Sequence, residues 1–190
     1  KNRHIIYEER LHGKLESDDM QNMAMAYVVS KEKKREVITK MITELCVSGV
    51  NSIVKKEERL QQIRSLFDLD GITIYSESGA QLVCRNGNYM VEVPDGRGLF
   101  EDEKYLALFG DDDNFIESNT LKLRFQDPAA FAVMQKQEIG ASLQCLSRKE
   151  GVPNVIVNYD VFNRNRKWSD EDITLLTILG HCIGNLLNYS

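Results

Sequence analysis

The chain has 190 residues with a hydrophobic fraction of 42%, enough for one ordinary core and a helical extension. Its formal net charge of -5 argues against nucleic-acid binding, which needs a basic surface to neutralise phosphates. The sequence holds no apolar run of about eighteen residues and no signal-peptide pattern, so we expect a cytoplasmic segment without membrane contact.

The N-terminal third has the composition of long helices. Residues 1–67 contain no proline, and their glycines are Gly13 and Gly49. From Ile38 to Phe67 apolar residues recur every three or four positions between charged runs, which indicates an amphipathic helix. Two interpretations stay open: this stripe packs on its own domain, or it forms a helical seam between two chains.

Upstream, the segment "KLESDDM" predicts a break, with Ser17 or Asp18 capping a second helix. Residues 1–56 are therefore assigned to a helical arm or linker, and residues 57–190 to a globular domain.

After Asp70 the pattern changes from helix to sheet. "GITIYSESGAQLVCRNG" predicts a hairpin, "LFEDEKYLALFG" a short helix ended by "DDDN", and "TLKLRF" a strand. "DPAAFAVMQKQ" predicts a helix with Asp127 as its cap and Pro128 in its first turn. "GASLQCLSR" and "VIVNYDVF" form a second predicted hairpin, and Ser169 caps a closing helix whose first turn is acidic.

This order predicts an α+β fold. We expect a central antiparallel sheet of about five to six strands flanked by helices, with the C-terminal helix packed beside the long N-terminal helical arm.

The order and several residues resemble a GAF domain. The resemblance covers roughly residues 57 to 188. It is carried by a helix running into Asp70-Gly71, by the central hairpin, and by an aromatic and acidic cap made of Trp168, Ser169, Glu171 and Asp172.

The resemblance implies a small-molecule pocket and paired terminal helices that form a homodimer. Such modules precede output domains, of which a diguanylate cyclase is one example. This sequence has no "GGDEF" run, phosphate loop or phosphoacceptor box, so we expect no enzyme activity in this chain. The interpretation is a sensing and dimerising regulatory domain that binds an unidentified small molecule. The alternatives are a ligand-free spacer and, more distantly, a free-methionine sulfoxide reductase.

The cofactor stays unknown, because the sequence carries no haem, bilin or metal signature. His4 and His12 lie in the arm and His181 in the last helix, away from a pocket cysteine or an axial-ligand position. The acidic runs at 101–103 and 111–114 are interpreted as solvated loops. A cyclic nucleotide is not inferred, because "NRNRKWSDED" matches only part of the family's binding signature.

The cysteines are interpreted as reduced thiols, mostly buried. Cys46, Cys84, Cys145 and Cys182 form no CxxC pair, which argues against a zinc site and a disulfide framework. Cys84 lies beside Arg85, but a buried structural thiol is favoured over a reactive one. The isolation of Cys84 and Cys145 also weakens the reductase alternative.

The predicted ligand-binding residues come from the irregular middle segment, whose aromatic side chains suit a planar or apolar ligand. Two arginines are available for an anionic group, and the alternative is that the rings are core. These residues are Tyr89, Phe100, Tyr105, Phe109, Phe125 and Phe131, with Arg124 and Arg85.

The predicted dimer seam uses apolar residues that exceed what one stripe needs to dock on the domain. If the arm and the closing helix lie side by side, two copies bury both surpluses in a four-helix seam. The seam residues are Ile53, Leu60 and Ile63 from the arm, and Ile173, Leu176, Ile183 and Leu187 from the closing helix.

Overall fold

The computed structural model describes residues 2–48, 57–77, 79–85 and 96–188. By their internal contacts the residues form two compact units, residues 1–37 and 38–190. The predicted boundary at residue 56 stays a prediction, because residues 49–56 lie outside the described ranges. Among the described residues, no helix combines the length and apolar content needed to cross a membrane.

Helix α1 (Asn2–Ser48) is continuous, so the predicted break at "KLESDDM" is wrong. The segment contains neither Pro nor Gly, and Ser and Asp inside a helix cost only a few tenths of a kcal/mol relative to better helix formers. Within the first unit, several apolar side chains of this helix are exposed. They are Met20, Met23, Met25, Tyr27, Val28 and Val29.

In the second unit, the end of α1 and helix α2 (Glu57–Leu66) bury their apolar stripes. An ion pair of 2.9 Å joins Arg59 to Glu44. The interpretation that the stripe packs on its own domain is confirmed for these residues. The buried side chains are Ile38, Met41 and Leu45 from α1, followed by Leu60, Ile63 and Phe67.

The sheet has five antiparallel strands in the order β2-β1-β5-β4-β3. They are β1 (Gly71–Ser76), β2 (Gly79–Arg85), β3 (Asn114–Glu117), β4 (Ile139–Lys149) and β5 (Val152–Phe162). Both predicted hairpins are confirmed, β1–β2 and β4–β5. The edge strand β3 was not predicted, since the acidic turn before it masks a strand of only four residues.

The helical elements between the strands are short. A 3₁₀ turn (Arg97–Phe100) precedes α3 (Glu103–Leu106), and a second 3₁₀ turn (Thr120–Lys122) leads into α4 (Leu123–Gln126) and α5 (Pro128–Lys136).

The predicted strand "TLKLRF" is therefore wrong. The Asn119 side chain accepts a hydrogen bond from the Leu121 amide at 3.1 Å and starts a helical turn. Leu123 is buried, whereas Leu121 and Phe125 are exposed, so the alternation in this short run does not correspond to a buried strand face.

Helix α5 begins as predicted: Asp127 caps it and Pro128 lies in its first turn. Helix α6 (Asp170–Asn188) is the predicted closing helix. The Ser169 hydroxyl accepts a hydrogen bond from the Asp172 amide at 3.1 Å, as a helix cap does.

The start of α6 is tied to the end of α2. The Arg166 guanidinium donates to the Phe67 and Asp68 carbonyls at 2.6 and 2.9 Å and to the Asp172 carboxylate at 2.9 Å. It also lies 4.3 Å from the Trp168 ring centroid. Through these contacts, Trp168 and Asp172 of the aromatic and acidic cap join the start of α6 to the end of α2.

Helix α6 packs on one face of the sheet, here called the outer face. A Cβ at Gly180 would lie 2.6 Å from Cys145 Sγ, and one at Gly184 would lie 2.1 Å from Ser147 Oγ. The absence of side chains at these two glycines lets the helix backbone approach β4 closely. The opposite, inner face is covered by residues of the 3₁₀ turn Arg97–Phe100, of α3 and of α5, and the alternate residues of β4 and β5 point toward it.

Candidate functional site

The inner face of the sheet carries buried polar side chains at alternate strand positions. Ser142 and Gln144 lie on β4, Asn158 and Asp160 on β5, and Thr73 on β1. Their strand neighbours on the outer face are apolar or aromatic, such as Leu143 and Tyr159. A polar strip inside an otherwise apolar interior costs free energy unless its groups find partners.

Most of this strip is joined by hydrogen bonds. Tyr105 Oη donates to Gln144 Oε1 at 2.5 Å, and Gln144 Nε2 donates to Ser142 Oγ at 3.0 Å. Ser142 Oγ in turn donates to Asp160 Oδ1 at 2.7 Å. The bonds all run in one direction, so each hydroxyl or amide is oriented by the next and the chain ends on a carboxylate.

Burial controls the ionisation of this face. It raises the pKa of the Asp160 carboxyl from 3.8 to about 6, although the Ser142 hydrogen bond and the nearby Arg85 guanidinium lower it. Burial also raises the pKa of the Tyr75 and Tyr105 hydroxyls far above their usual value. Both tyrosines are therefore neutral hydrogen-bonding groups rather than acids at physiological pH.

A cavity of about 90 Å³ opens above this polar strip. Its floor includes Gln144 and Asn158, with Tyr75 and Tyr105 beside them. Its apolar wall is formed by the 3₁₀ turn Arg97–Phe100, by α5 and by the start of β4. The apolar wall residues are Leu99, Ala129, Ala130, Val133, Met134 and Ile139.

One floor atom has no partner. Asn158 is only 6% exposed and lines the cavity, yet its Oδ1 atom accepts no hydrogen bond from any protein group. Leaving a buried acceptor unsatisfied costs about 1–3 kcal/mol, so such an atom usually faces a water or a ligand. Asn158 is thus a position on this floor where a bound molecule could recover that free energy.

The helices beside the cavity begin with aspartate caps. Asp127 Oδ1 accepts from the Ala129 and Ala130 amides, each at 3.1 Å. Asp102 Oδ1 accepts from the Lys104 and Tyr105 amides at 3.0 and 3.1 Å. The free amides with which a helix start attracts anions are therefore already occupied at α5 and α3.

Some of the predicted ligand residues lie at this site. Tyr105 lines the cavity. Phe109 belongs to the adjoining apolar cluster, against which Phe100 and Phe131 pack as partly buried residues. Arg85 lies at the end of β2, where its Nη2 atom donates to Gln137 Oε1 at 3.0 Å and its guanidinium lies 5.2 Å from the Phe162 ring centroid.

Others lie elsewhere. Phe125 is 86% exposed and Arg124 is exposed, both on helix α4, and neither lines this cavity. The reason is the helical conformation of this segment, which turns both side chains toward solvent. Tyr89 lies outside the described residues.

The polar strip was not predicted from the sequence, although the sequence contains a pattern that indicates it. Ser142, Gln144, Asn158 and Asp160 alternate with apolar residues, which ordinarily indicates a solvent-facing strand face. In a sheet covered on both sides, the same alternation instead indicates a buried polar site.

The predicted seam residues that the structure describes divide into two groups. Leu60, Ile63, Leu176 and Ile183 are buried within the chain itself. Ile173 and Leu187 are partly buried, and Ile53 lies outside the described residues. The homodimer stays a prediction, and the surface of α6 available to it centres on Ile178, which is 50% exposed.

Cys84 and Cys145 are buried, as predicted. Burial raises the pKa of the Cys145 thiol far above its usual value, so this thiol is a poor source of the nucleophilic thiolate that a reductase needs. Within the described residues, no group of three His, Cys, Asp or Glu side chains is placed to hold a metal ion.

No protein-family model and no curated protein matches the sequence. Similarity to solved structures is clear. The chromophore-binding domain of the Stigmatella aurantiaca bacteriophytochrome superposes with a TM-score of 0.62 at 14% identity, over 83% of this chain and 60% of that one. The phycoerythrobilin-bound GAF domain of a cyanobacterial phytochrome gives 0.61 at 10% identity, over 83% and 95%.

A GAF domain from Synechocystis sp. PCC6803 in its photoproduct state gives a TM-score of 0.52 at 14% identity, over 74% of this chain and 94% of that one. At these low identities, the superpositions show a shared fold alone. The five-stranded antiparallel sheet, with a terminal helix on one face and a cavity on the other, is a GAF-like fold.

Proposed function

We propose that this chain is a regulatory domain that binds a small molecule in the cavity on the inner face of its sheet. The observation that carries the proposal is the unpartnered Asn158 Oδ1 atom on the cavity floor. A chain that only spaced two other domains would gain nothing from a buried acceptor without a partner, because this arrangement lowers stability. A ligand that occupies the atom recovers that free energy.

The site is suited to binding rather than to catalysis. In the described part of the cavity the tyrosine hydroxyls are held neutral by burial, and the Asp160 carboxyl is engaged by Ser142. His181 lies on α6, on the outer side of the sheet, and its Nε2 atom is 2.9 Å from Asn114 Oδ1. These groups do not form the nucleophile and base pair that covalent catalysis needs.

The ligand is smaller than the pigments of the structural neighbours, two of which contain phycoerythrobilin and biliverdin. A water needs roughly 10–15 Å³ of cavity, so a cavity of about 90 Å³ holds the volume of several waters. This size fits a small planar or branched molecule.

Transmission would run through the sheet to α6. Asn158 lines the cavity, and the next residue, Tyr159, lies near Gly180 of α6 on the outer face. A ligand that shifts β5 therefore acts on a helix packed against the same strand. The homodimer through α6 belongs to this proposal. The output, for example a diguanylate cyclase, rests only on the sequence resemblance.

A melting screen against a metabolite library tests the proposal. A ligand at a hundred times its dissociation constant adds about 2.7 kcal/mol to the free energy of unfolding. Val133 lines the cavity but is 43% exposed, so Val133→Trp blocks the mouth without overfilling the core. Ala132→Trp makes the same change at an exposed position of the same helix.

We expect one compound class to raise the melting temperature of the wild type and of Ala132→Trp, and to lose most of this effect in Val133→Trp. If no compound raises the melting temperature, or if Val133→Trp responds like the wild type, the ligand-free spacer becomes the better account.

A further inference from the structure

We propose that Cys46 and Cys182 form a redox-sensitive pair, which a peroxide oxidises to a disulfide that fastens the end of α1 to α6. This inference goes beyond the proposed ligand binding and does not depend on it. The spacing of the cysteines in the sequence gives no sign of the pair, because the two residues lie far apart in the chain and are brought together by folding.

The first observation is the contact between the two thiols. Both residues belong to the second unit, with Cys46 in the last turn of α1 and Cys182 in α6. A hydrogen bond joins their side chains. Two thiols in such contact need only a small rotation of their side chains to reach the S–S bond length of about 2.05 Å.

The second observation is that the core holds both helices in place beside the pair. Leu45, next to Cys46, and Ile183, next to Cys182, are fully buried. The packing of these neighbours fixes the backbone at each cysteine, so the two sulfurs stay close together in the folded chain. Holding two reacting groups in place raises their effective concentration, which favours a bond within the chain over a bond to a second chain.

Exposure separates this pair from the other two cysteines. Cys46 is exposed and Cys182 is partly buried, whereas Cys84 and Cys145 are buried. The buried two lie on β2 and β4, with β1 and β5 between them. Three strand spacings of about 4.8 Å each are too long for a disulfide. An oxidant in solution therefore reaches Cys46 first.

The protonation of Cys182 gives the two thiols different roles. Burial, and after it the neighbouring Cys46 thiol, raises the pKa of the Cys182 thiol. Cys182 therefore stays protonated and is a poor first target for a peroxide, which reacts with thiolates. Cys46 is the thiol that the peroxide attacks, and Cys182 is the thiol that resolves the product.

The reaction balances with hydrogen peroxide as the oxidant. The peroxide takes two electrons from the Cys46 sulfur: its O–O bond breaks, an S–O bond forms, and one water leaves. The Cys182 sulfur then attacks the sulfenic acid of Cys46, so an S–S bond replaces the S–O bond. The hydroxyl leaves with the Cys182 proton as a second water. A dithiol reductant returns the two electrons and restores both thiols.

The disulfide would restrain α6 against the rest of the second unit. Helix α6 packs on the outer face of the sheet, and its Cys182 would be bonded to the end of α1, where Met41 and Leu45 are core residues. Oxidation would therefore limit the movement of the second half of α6.

Treatment of the full chain with a small molar excess of hydrogen peroxide tests the inference. We expect the number of free thiols in the denatured protein to fall from four to two, and a dithiol reductant to restore them. Trypsin digestion should yield one cross-linked peptide that joins residues 41–55 to residues 168–190. Amide exchange in the second half of α6 should be slower in the oxidised chain than in the reduced chain.

Two kinds of variant show whether the folded geometry selects the pair. Cys46→Ser and Cys182→Ser should each lose the cross-linked peptide. The matched control combines Cys46→Ser with Val47→Cys. Val47 is 81% exposed, so this double variant keeps an exposed thiol on the same helical turn but rotates it by about 100° around the helix axis. It should form no disulfide with Cys182.

Four remaining thiols after peroxide treatment, or oxidation of Cys46 to a sulfinic acid beside an unchanged Cys182, would overturn the inference. So would a disulfide between two chains, seen on a non-reducing gel, or equal cross-linking by the double variant. A disulfide that leaves amide exchange in α6 unchanged would remove the restraint on this helix. The proposed ligand binding is tested separately by the melting screen.

Discussion

At the scale of single residues, the polar strip on the inner face is the feature that most distinguishes this chain from a domain that only separates other domains. Asp160 is the clearest case, because its carboxyl is fully enclosed and its pKa is raised from 3.8 to about 6. Burial is the largest cause, and it penalises the charged form. The folded protein therefore binds this proton more tightly than the unfolded chain does.

This difference predicts how stability depends on pH. Between about pH 4 and pH 6 the folded state holds more protons at this residue, so its contribution to the free energy of unfolding falls as pH rises and stays low above pH 6. Asp160→Asn keeps an acceptor for Ser142 and removes the buried charge. We expect it to stabilise the protein by roughly 1–3 kcal/mol at about pH 7.5 and by little at about pH 4.

Urea denaturation of both proteins at the two pH values measures this. The control variant is Ser142→Ala, which removes the hydroxyl that stabilises the Asp160 carboxylate. It should lower the free energy of unfolding above pH 6. An equal effect of Asp160→Asn at both pH values would show that its charge is not what limits stability.

Of the aromatic residues predicted to bind a ligand, Tyr105 lines the cavity, whereas none of the polar side chains on the cavity floor was predicted. Tyr105 was found because aromatic side chains in an irregular segment tend to line pockets. Asn158 could not be found, because the same alternation of polar and apolar residues describes a solvated strand face. Only the covering of both sheet faces distinguishes the two cases.

At the scale of elements, the contact between α6 and β4 depends on small residues. A Cβ at Gly184 would lie 2.1 Å from Ser147 Oγ and 2.7 Å from Ser147 Cβ. An overpacked contact of this kind costs about 1–3 kcal/mol, which exceeds the helix-propensity gain of up to about 1 kcal/mol from replacing Gly by Ala.

Because these distances are far shorter than a van der Waals contact, we take the upper end of the overpacking cost, about 3 kcal/mol. After the propensity gain of about 1 kcal/mol, we expect Gly184→Ala to be destabilising by about 2 kcal/mol. Gly98→Ala is the matched control, because a Cβ there meets nothing within 4 Å and should change stability by less than about 0.5 kcal/mol. Thermal or urea unfolding of both variants measures the difference. A neutral Gly184→Ala would mean that α6 moves away from β4 at little cost.

Elements with strong local signals were predicted from the sequence, and those with weak signals were not. The β4 and β5 strands are long runs of β-forming residues, and α6 is a long amphipathic helix with a capping residue, Ser169. "TLKLRF" (residues 120–125) alternates over only six residues. The residues that flank it, Asn119 and Asp127, are helix-capping residues. In this segment, the local hydrogen bonds of the capping side chains determine a helical conformation, although the alternating pattern between them is typical of a strand.

At the scale of the whole molecule, the predicted homodimer depends on the exposed side of α6. Several residues first assigned to the seam are already buried in the chain's own core, so their substitution would unfold the protein rather than separate subunits. Ile178 is half exposed and is the better probe.

We expect sedimentation of the wild type to show a dimer at tens of micromolar, and Ile178→Asp to be monomeric and folded, because a buried carboxylate in the seam would be costly. Leu121→Asp, at an exposed apolar position on the 3₁₀ turn before α4, should remain dimeric. A wild-type monomer under these conditions would remove the homodimer from the account.

The fold at this scale was predictable because the order of the elements, together with Asp70-Gly71 and the cap around Trp168, resembles a GAF domain, and the structural neighbours share that fold. The position of the candidate ligand site could not be predicted, because it depends on contacts of β4 and β5 with α3 and α5, which are far from them in the sequence.

The central claim is that the inner-face cavity binds a small molecule and that α6 responds across the sheet. Hydrogen–deuterium exchange of the full chain, with and without the compound that most raises its melting temperature, tests both parts at once. The account predicts slower exchange in Pro128–Lys136 and Val152–Phe162, which border the cavity, together with a changed rate in Asp170–Asn188. Protection elsewhere, or an unchanged α6 beside a protected cavity, would contradict it.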